Sequence, residues 1–273
     1  MQHSSCAGIL LAQEFLLDAP LMAADTPASR WKLGIALWIA GMVGVLVMMV
    51  VFMPTFLAQH PPHHPTKPPM GMIITLSCVQ TGLFLAGFVW CGAALAARVG
   101  LHAPAFEAFA AGRPIGAALL PQLLPGLIGG LVAAAIPWYF TSHGLIAEIH
   151  TPSALLMAVL YGGLTEEIMM RWGLMTLLVW LGWRLTGRAP QGPSPAVVWG
   201  AIIVSAILFG AGHLPMTSML NGHLTGAMVG SVIVVGAAFG IVAGYLYRRW
   251  GLEAAMICHG LSHFFAYAAC KLI

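Results

Sequence analysis

The chain has 273 residues, of which 60% are hydrophobic and only 7% are charged. Soluble domains carry about 25% charged residues, so this composition excludes a soluble protein and indicates one that crosses the lipid bilayer several times. The formal net charge of +3 is small and spread thinly along the chain, which gives no support to a nucleic-acid partner. The five cysteines form no C-x-x-C pair and are expected to pack as small apolar side chains.

The first 30 residues are the least defined part of the sequence. They lack the basic start of a signal peptide, yet they carry leucines and a phenylalanine that could form an apolar stripe on a helix. We expect a helix that lies at the membrane interface or, alternatively, a short additional membrane helix. Residues 31–273 are expected to form a single transmembrane bundle.

Seven apolar runs follow, each long enough to cross the roughly 30 Å hydrocarbon layer, which takes about 20 helical residues. Because a backbone in lipid must satisfy its own hydrogen bonds, we expect these runs to be helices. The predicted fold class is therefore all-α, a polytopic membrane bundle of about seven transmembrane helices, or eight if the N-terminal segment also inserts. The predicted spans are 33–57, 71–97, 117–140, 153–181, 196–220, 227–247 and 253–272.

The lysines and arginines predict the orientation of the bundle, since cytoplasmic loops are enriched in them. With seven spans, one face receives eight basic residues and the other face receives only Lys67 and Lys271, while Arg171 lies inside the fourth span. We therefore expect a multi-pass protein of the cell (inner) membrane, with its N-terminus in the cytoplasm and its C-terminus outside. The eight residues are Arg30, Lys32, Arg98, Arg113, Arg184, Arg188, Arg248 and Arg249.

Three charged residues, Glu166, Glu167 and Arg171, lie near the middle of the fourth span. An ionised residue at the centre of a lone membrane helix costs roughly 2.5–3.5 kcal/mol, so such groups are expected to pair or to face a protein-lined cavity. Glu167 and Arg171 are four residues apart and are expected to form an ion pair within the helix. Glu166 is turned about 100° from Glu167 and has no obvious local partner, which makes it the candidate functional carboxylate.

Three histidines also lie inside apolar spans. His213 is on the fifth span, and His259 and His263 share one face of the seventh span because they are four residues apart. A carboxylate beside imidazoles in a low-dielectric pocket suits general acid–base catalysis on water. Glu166 and these three histidines are equally candidate zinc ligands. The alternative is a purely structural role, in which the ion pair and hydrogen bonds join helices.

These residues resemble three motifs of the CPBP family, the CAAX prenyl endopeptidases and their bacterial relatives, which include bacteriocin-processing and immunity proteins. The motifs are E-E-x-x-x-R, F-x-x-x-H and H-x-x-x-(N/D). They occur on separate spans, in the order of the family, over about residues 153–265. The residues that carry them here are Glu166, Glu167, Arg171, Phe209, His213, His259 and His263.

The resemblance implies an all-helical intramembrane endopeptidase that hydrolyses a peptide bond of a membrane-associated protein or peptide. It implies that Glu166 and His213 activate the attacking water and that His259 supports the oxyanion. It leaves open whether the enzyme uses zinc or a metal-free mechanism of the glutamic type. The supporting residues that it implies are Glu167, Arg171 and Phe209.

Two details bear on this resemblance. The last motif position is usually Asn or Asp, whereas His263 occupies it here. An imidazole can donate to an oxyanion. It also adds a potential zinc ligand and raises the chance of a degenerate active site.

On straight spans, His213 would lie closer to the outer end than His259. A common site therefore requires a bend, for which Gly210, Gly212 and Pro215 offer places.

Other intramembrane proteases leave different marks on a sequence. The H-E-x-x-H string of site-2-type zinc proteases is absent, and the only aspartates, Asp18 and Asp25, precede the first span, which excludes a presenilin-type pair. A rhomboid-type serine protease would have to use the serine of the short G-x-S-x string at 260–263, and both glutamates would then have no role. The alternative from another class is a non-catalytic membrane protein, either immunity-like or a transporter, although no internal repeat typical of transporters is visible.

Overall fold

The computed structural model describes residues 27–59, 68–143 and 151–271, and within these ranges every regular element is helical. Six helices are long and apolar enough to cross a membrane, which confirms the predicted polytopic bundle. Of the predicted N-terminal segment 1–30, residues 1–26 lie outside the described residues. Spans 1 to 6 are Ser29–Gln59, Met70–Val99, Ile115–Ser142, Pro152–Leu185, Pro195–Asn221 and Gly226–Arg249.

The predicted seventh span is the helix Leu252–Lys271, called helix 7 below. It has 20 residues, but it is not one of the six helices that combine sufficient length with sufficient apolar character. The reason lies in its polar side chains, of which Glu253, His259 and Ser262 are buried in the protein. Polar groups that face the protein interior lower the hydropathy of a helix without meeting lipid, so helix 7 is an inner helix of the bundle.

Contacts at both ends of the bundle show which ends of the membrane helices lie together. At one end, Arg248 of span 6 donates to the carbonyl oxygen of Gly100, just after span 2, at 3.0 Å. At the other end, the hydroxyl groups of Thr55 in span 1 and Ser153 in span 4 lie 3.3 Å apart. The ends of spans 2 and 6 therefore lie together, and the end of span 1 lies beside the start of span 4, as the predicted alternating order requires.

Span 3 is continuous although Pro121, Pro125 and Pro137 lie inside it. Proline is tolerated in membrane helices because neighbouring groups satisfy the freed backbone atoms. The buried side chain of Gln122 donates to the carbonyl oxygen of Ala118 at 3.1 Å, and its oxygen accepts from the backbone N–H of Ala254 at 3.0 Å. This amide joins span 3 to the start of helix 7.

Glu253 fixes the start of helix 7 against a short helix, Pro104–Ala110, that precedes span 3. One carboxylate oxygen of Glu253 accepts from the backbone N–H groups of Ala105 and Phe106, at 2.8 and 2.9 Å. Such charge-assisted hydrogen bonds to the first turn of a helix are among the stronger ones in proteins. Because His259 follows Glu253 by less than two helical turns, this contact also sets the depth of the imidazole in the membrane.

Small residues bring spans 5 and 6 close together. Gly236 and Gly240 of span 6 face span 5, where a side chain at Gly236 would overlap Gly210. A Cβ atom at Gly240 would lie 2.7 Å from the Cα atom of Ala206. Membrane helices associate through such close van der Waals packing, because lipid removes the hydrophobic driving force between them. The short distance between the two spans therefore depends on these glycines.

Replacing Gly240 by leucine is expected to destabilise the protein by about 1–3 kcal/mol, because the new side chain must push spans 5 and 6 apart. The matched control is Gly230→Leu in the same helix, since a Cβ atom at Gly230 meets nothing within 4 Å. Thermal unfolding of the purified protein in detergent measures both variants. A lower midpoint is expected for Gly240→Leu alone, and equal midpoints would contradict the close contact.

Candidate active site

Span 4 departs from regular α-helical geometry where its charged residues lie. The segments Ala158–Glu166 and Ile168–Met175 are π-helical, and Glu167 stands between them. Because π-helical hydrogen bonds join residues five apart instead of four, the turn is wider and the rotation between neighbouring residues is smaller than in an α-helix. Neighbouring side chains therefore diverge less than they do on an α-helix. Such wide turns are frequent at functional sites.

His259 lies between the two glutamates. Its Nδ1 donates to Oε1 of Glu167 at 2.7 Å, and its Nε2 lies 3.9 Å from Oε2 of Glu166. The side chain of Glu167 is fully buried, whereas 23% of the Glu166 side chain is exposed. One glutamate therefore anchors the imidazole from inside the bundle while the other faces open space. The sequence offered Glu166 no local partner, and the tertiary structure supplies one.

Arg171 completes the buried part of the site. Its Nε lies 3.2 Å from Oε2 of Glu167, which confirms the ion pair predicted from their spacing. The guanidinium group also lies over two aromatic rings, 4.9 Å from the centre of Phe209 and 5.4 Å from the centre of Phe239. Cation–π contacts are strongest where water is excluded. The rings and Glu167 together hold a cation that would otherwise be costly at this depth.

Phe239 is a site residue that the sequence did not reveal. Its ring centre lies 4.3 Å from that of His259 and 5.5 Å from that of Phe209. It stands on span 6 between Gly236 and Gly240, whose contact with span 5 brings it to this position. The G-x-x-x-G spacing of these glycines is a signal that could have marked the segment. Nothing distinguishes Phe239 itself among the twelve phenylalanines of the chain.

Span 5 breaks at His213, in the region where the sequence predicts a bend. One α-helix ends at Gly212, and the next, Leu214–Asn221, begins directly after His213. The His213 Nδ1 donates to the carbonyl oxygen of Phe209 at 2.9 Å, and the two rings meet edge to face at 4.8 Å. Within the described part of the chain, no ion pair joins His213 to Glu166. The two residues instead line the same cavity.

This cavity has a volume of about 900 Å³, and all four residues predicted to be catalytic line it: Glu166, His213, His259 and His263. The ring of His263 stacks on that of His259, with centres 5.0 Å apart. Most of the remaining wall is apolar, which is typical of sites that bind small molecules or peptide segments. Flexible methionines let such a wall adapt to its occupant. They are Met48, Met157, Met169, Met170, Met216 and Met228.

The arrangement of these donors does not fit a zinc site. Across the residues that the structure describes, no three His, Cys, Asp or Glu side chains are grouped so that they could hold a metal ion. Nδ1 of His259 is held by Glu167 and Nδ1 of His213 by the Phe209 carbonyl, so the spacing of the side chains, and not the state of these rings, argues against the metal. A catalytic zinc ion takes three protein ligands. The reaction is therefore proposed below without a step on a metal ion.

Fold and site together define a polytopic membrane protein in which carboxylate and imidazole groups face a cavity within the bundle. Residues 148–265 match the family described as type II CAAX prenyl endopeptidase Rce1-like. This match covers less than half of the chain, and it confirms the resemblance of this part to CAAX-type intramembrane proteases. No curated protein and no solved structure matches the chain.

Proposed function

We propose that the protein is an endopeptidase of the cell membrane that hydrolyses a peptide bond of a membrane-associated protein or peptide. The observation that carries this proposal is the placement of His259 between buried Glu167 and cavity-facing Glu166. The His259 ring has the Glu167 carboxylate at Nδ1 and the Glu166 carboxylate near Nε2. This arrangement suits proton transfer to and from water. The match to the Rce1-like family supports peptide hydrolysis as the reaction.

The proposed nucleophile is a water molecule beside Glu166. Oε2 of Glu166 and Nε2 of His259 are 3.9 Å apart, a separation at which one water reaches both atoms at hydrogen-bond length. Glu166 accepts a proton from this water as the general base, and the oxygen attacks the carbonyl carbon of the substrate. His213 helps to orient the water through Nε2, because its Nδ1 is held by the Phe209 carbonyl.

His259 and His263 are the proposed donors to the oxyanion that this attack creates. Because the Nδ1–H of His259 is held by Glu167, a neutral His259 presents a lone pair at Nε2. To donate from Nε2, His259 takes up a second proton from solvent water in the cavity before the attack and returns it after the oxyanion collapses; Glu167 balances the charge of this imidazolium as the buried aspartate does in serine proteases. His263 takes the place of the Asn or Asp of the family motif. Glu166 then passes its proton to the leaving amine, which completes hydrolysis.

The alternative is a non-catalytic membrane protein, similar to bacteriocin-immunity proteins or to a transporter, in which the charged residues only join helices. Glu167 already pairs with Arg171, so the ion pair does not require Glu166. Glu166 is also the carboxylate that lines the cavity. A buried structural network would not need an exposed carboxylate at this depth, so the placement favours the peptidase.

The test compares peptide termini in membranes from cells that produce either the wild type or the double variant Glu166→Gln/His213→Ala. We expect a set of new N-termini that occurs with the wild type alone. The amount of each protein extracted from the membrane with detergent shows whether both insert equally. If two equally inserted proteins gave identical sets of termini, the peptidase would be rejected in favour of the non-catalytic alternative.

A further inference from the structure

The two ends of the bundle differ in charge. Eight basic residues lie where spans 1, 3 and 5 begin and where spans 2, 4 and 6 end, and we call this the basic end. The sequence leaves only Lys67 and Lys271 for the opposite end. Since cytoplasmic loops are enriched in lysine and arginine, the basic end is the cytoplasmic one. Its residues are Arg30, Lys32, Arg98, Arg113, Arg184, Arg188, Arg248 and Arg249.

The cavity occupies the other half of the bundle. Glu166 and His259 lie near the middle of their helices, and the rest of the lining extends from them away from the basic end. Thr217 and Asn221, in the helix that follows His213, belong to the lining close to the opposite end. The lining residues of spans 4, 5 and 6 and of helix 7 fall within 154–170, 208–221, 228–239 and 259–267.

The basic end is closed by direct contacts between its elements. Arg248 donates to the carbonyl oxygen of Gly100, and the backbone N–H of Leu252 donates to that of His102, both at 3.0 Å. Glu253 joins the start of helix 7 to the short helix before span 3. A peptide that entered from this end would have to separate these contacts, of which the hydrogen bond from Ala105 to Glu253 is buried and therefore costly to leave unmade.

From the position of the cavity and the closure of the basic end, we infer that the substrate enters from the non-cytoplasmic side. The substrate is then an exported or membrane-anchored protein whose scissile segment lies outside the cytoplasm or in the outer half of the membrane. An apolar lining with a few polar groups suits a largely apolar peptide segment. This inference rests on the proposed peptidase function and adds the side of the membrane and the class of substrate.

The first test labels single added cysteines in intact cells with a maleimide that does not cross membranes. His223→Cys lies in the exposed loop after the Leu214–Asn221 helix, and Gln191→Cys lies in an exposed loop at the basic end. Wild-type protein labelled in parallel gives the signal of the five native cysteines. We expect labelling of His223→Cys in intact cells and of Gln191→Cys only after permeabilisation. The reverse pattern, or equal labelling of both, would overturn the inference.

The second test maps the termini that depend on the wild-type protein onto the topology of the proteins they come from. We expect them in segments outside the cytoplasm or in the outer half of a membrane span, and termini in cytoplasmic segments would overturn the inference. Labelling reports the side of the cavity without requiring catalysis, so it is also carried out on the Glu166→Gln protein. A failure of the peptidase proposal is thereby distinguished from a wrong assignment of the side.

Discussion

Replacing Glu166 by glutamine is expected to lower the rate of peptide cleavage by about 10²–10⁴-fold, the contribution typical of a general base. Glutamine keeps the size of the side chain and one acceptor oxygen, but it cannot take the proton from water. The change breaks no buried ion pair, because Arg171 is paired with Glu167. The thermal unfolding midpoint is therefore expected to stay at the wild-type value.

The measurement is the cleavage rate of purified protein in liposomes, with a substrate taken from the wild-type-dependent termini. The matched control is Glu107→Gln, whose carboxylate accepts from the backbone N–H of Ala103 at 3.0 Å at the basic end, away from the cavity. This control is expected to keep its activity. If Glu166→Gln cleaved as fast as the control, Glu166 could not be the base.

Replacing Glu167 by glutamine is expected to destabilise the protein by about 3–5 kcal/mol, the cost of leaving one partner of a buried ion pair unpaired. The glutamate is fully buried and serves two partners, Arg171 at 3.2 Å and His259 at 2.7 Å. A neutral amide cannot balance the guanidinium charge. Cleavage and stability are therefore expected to fall together, in contrast to the separate effect at Glu166.

The double variant Glu167→Gln/Arg171→Met distinguishes an unpaired charge from a general loss of packing. Removing both charges leaves no uncompensated ion, so the unfolding midpoint is expected to recover much of the loss seen in the single variant. Cleavage is not expected to recover, because His259 still lacks the carboxylate that accepts from its Nδ1–H. A Glu167→Gln protein as stable as the wild type, or a double variant less stable than the single one, would contradict this account.

Several features of the protein could be predicted from its sequence because they depend on local properties. The ends of the seven predicted spans agree with those of the six observed spans and of helix 7 to within four residues, since the thickness of the bilayer sets the length of an apolar run. The ion pair of Glu167 with Arg171 follows from their spacing on one helix. The family resemblance rested on three short motifs, and the match of residues 148–265 confirms it.

Other features were decided by tertiary structure alone. The π-helical turns of span 4 reduce the divergence of Glu166 and Glu167, and the packing of helix 7 against span 4 places His259 beside both carboxylates. Phe239 lies in the site because glycines bring spans 5 and 6 together. The cavity lies in the half of the bundle away from the basic end. Helix length and ion pairing within a helix depend on neighbours along the chain, which the sequence displays. The partner of Glu166 and the place of the cavity depend on how separate helices pack, which only the folded chain determines.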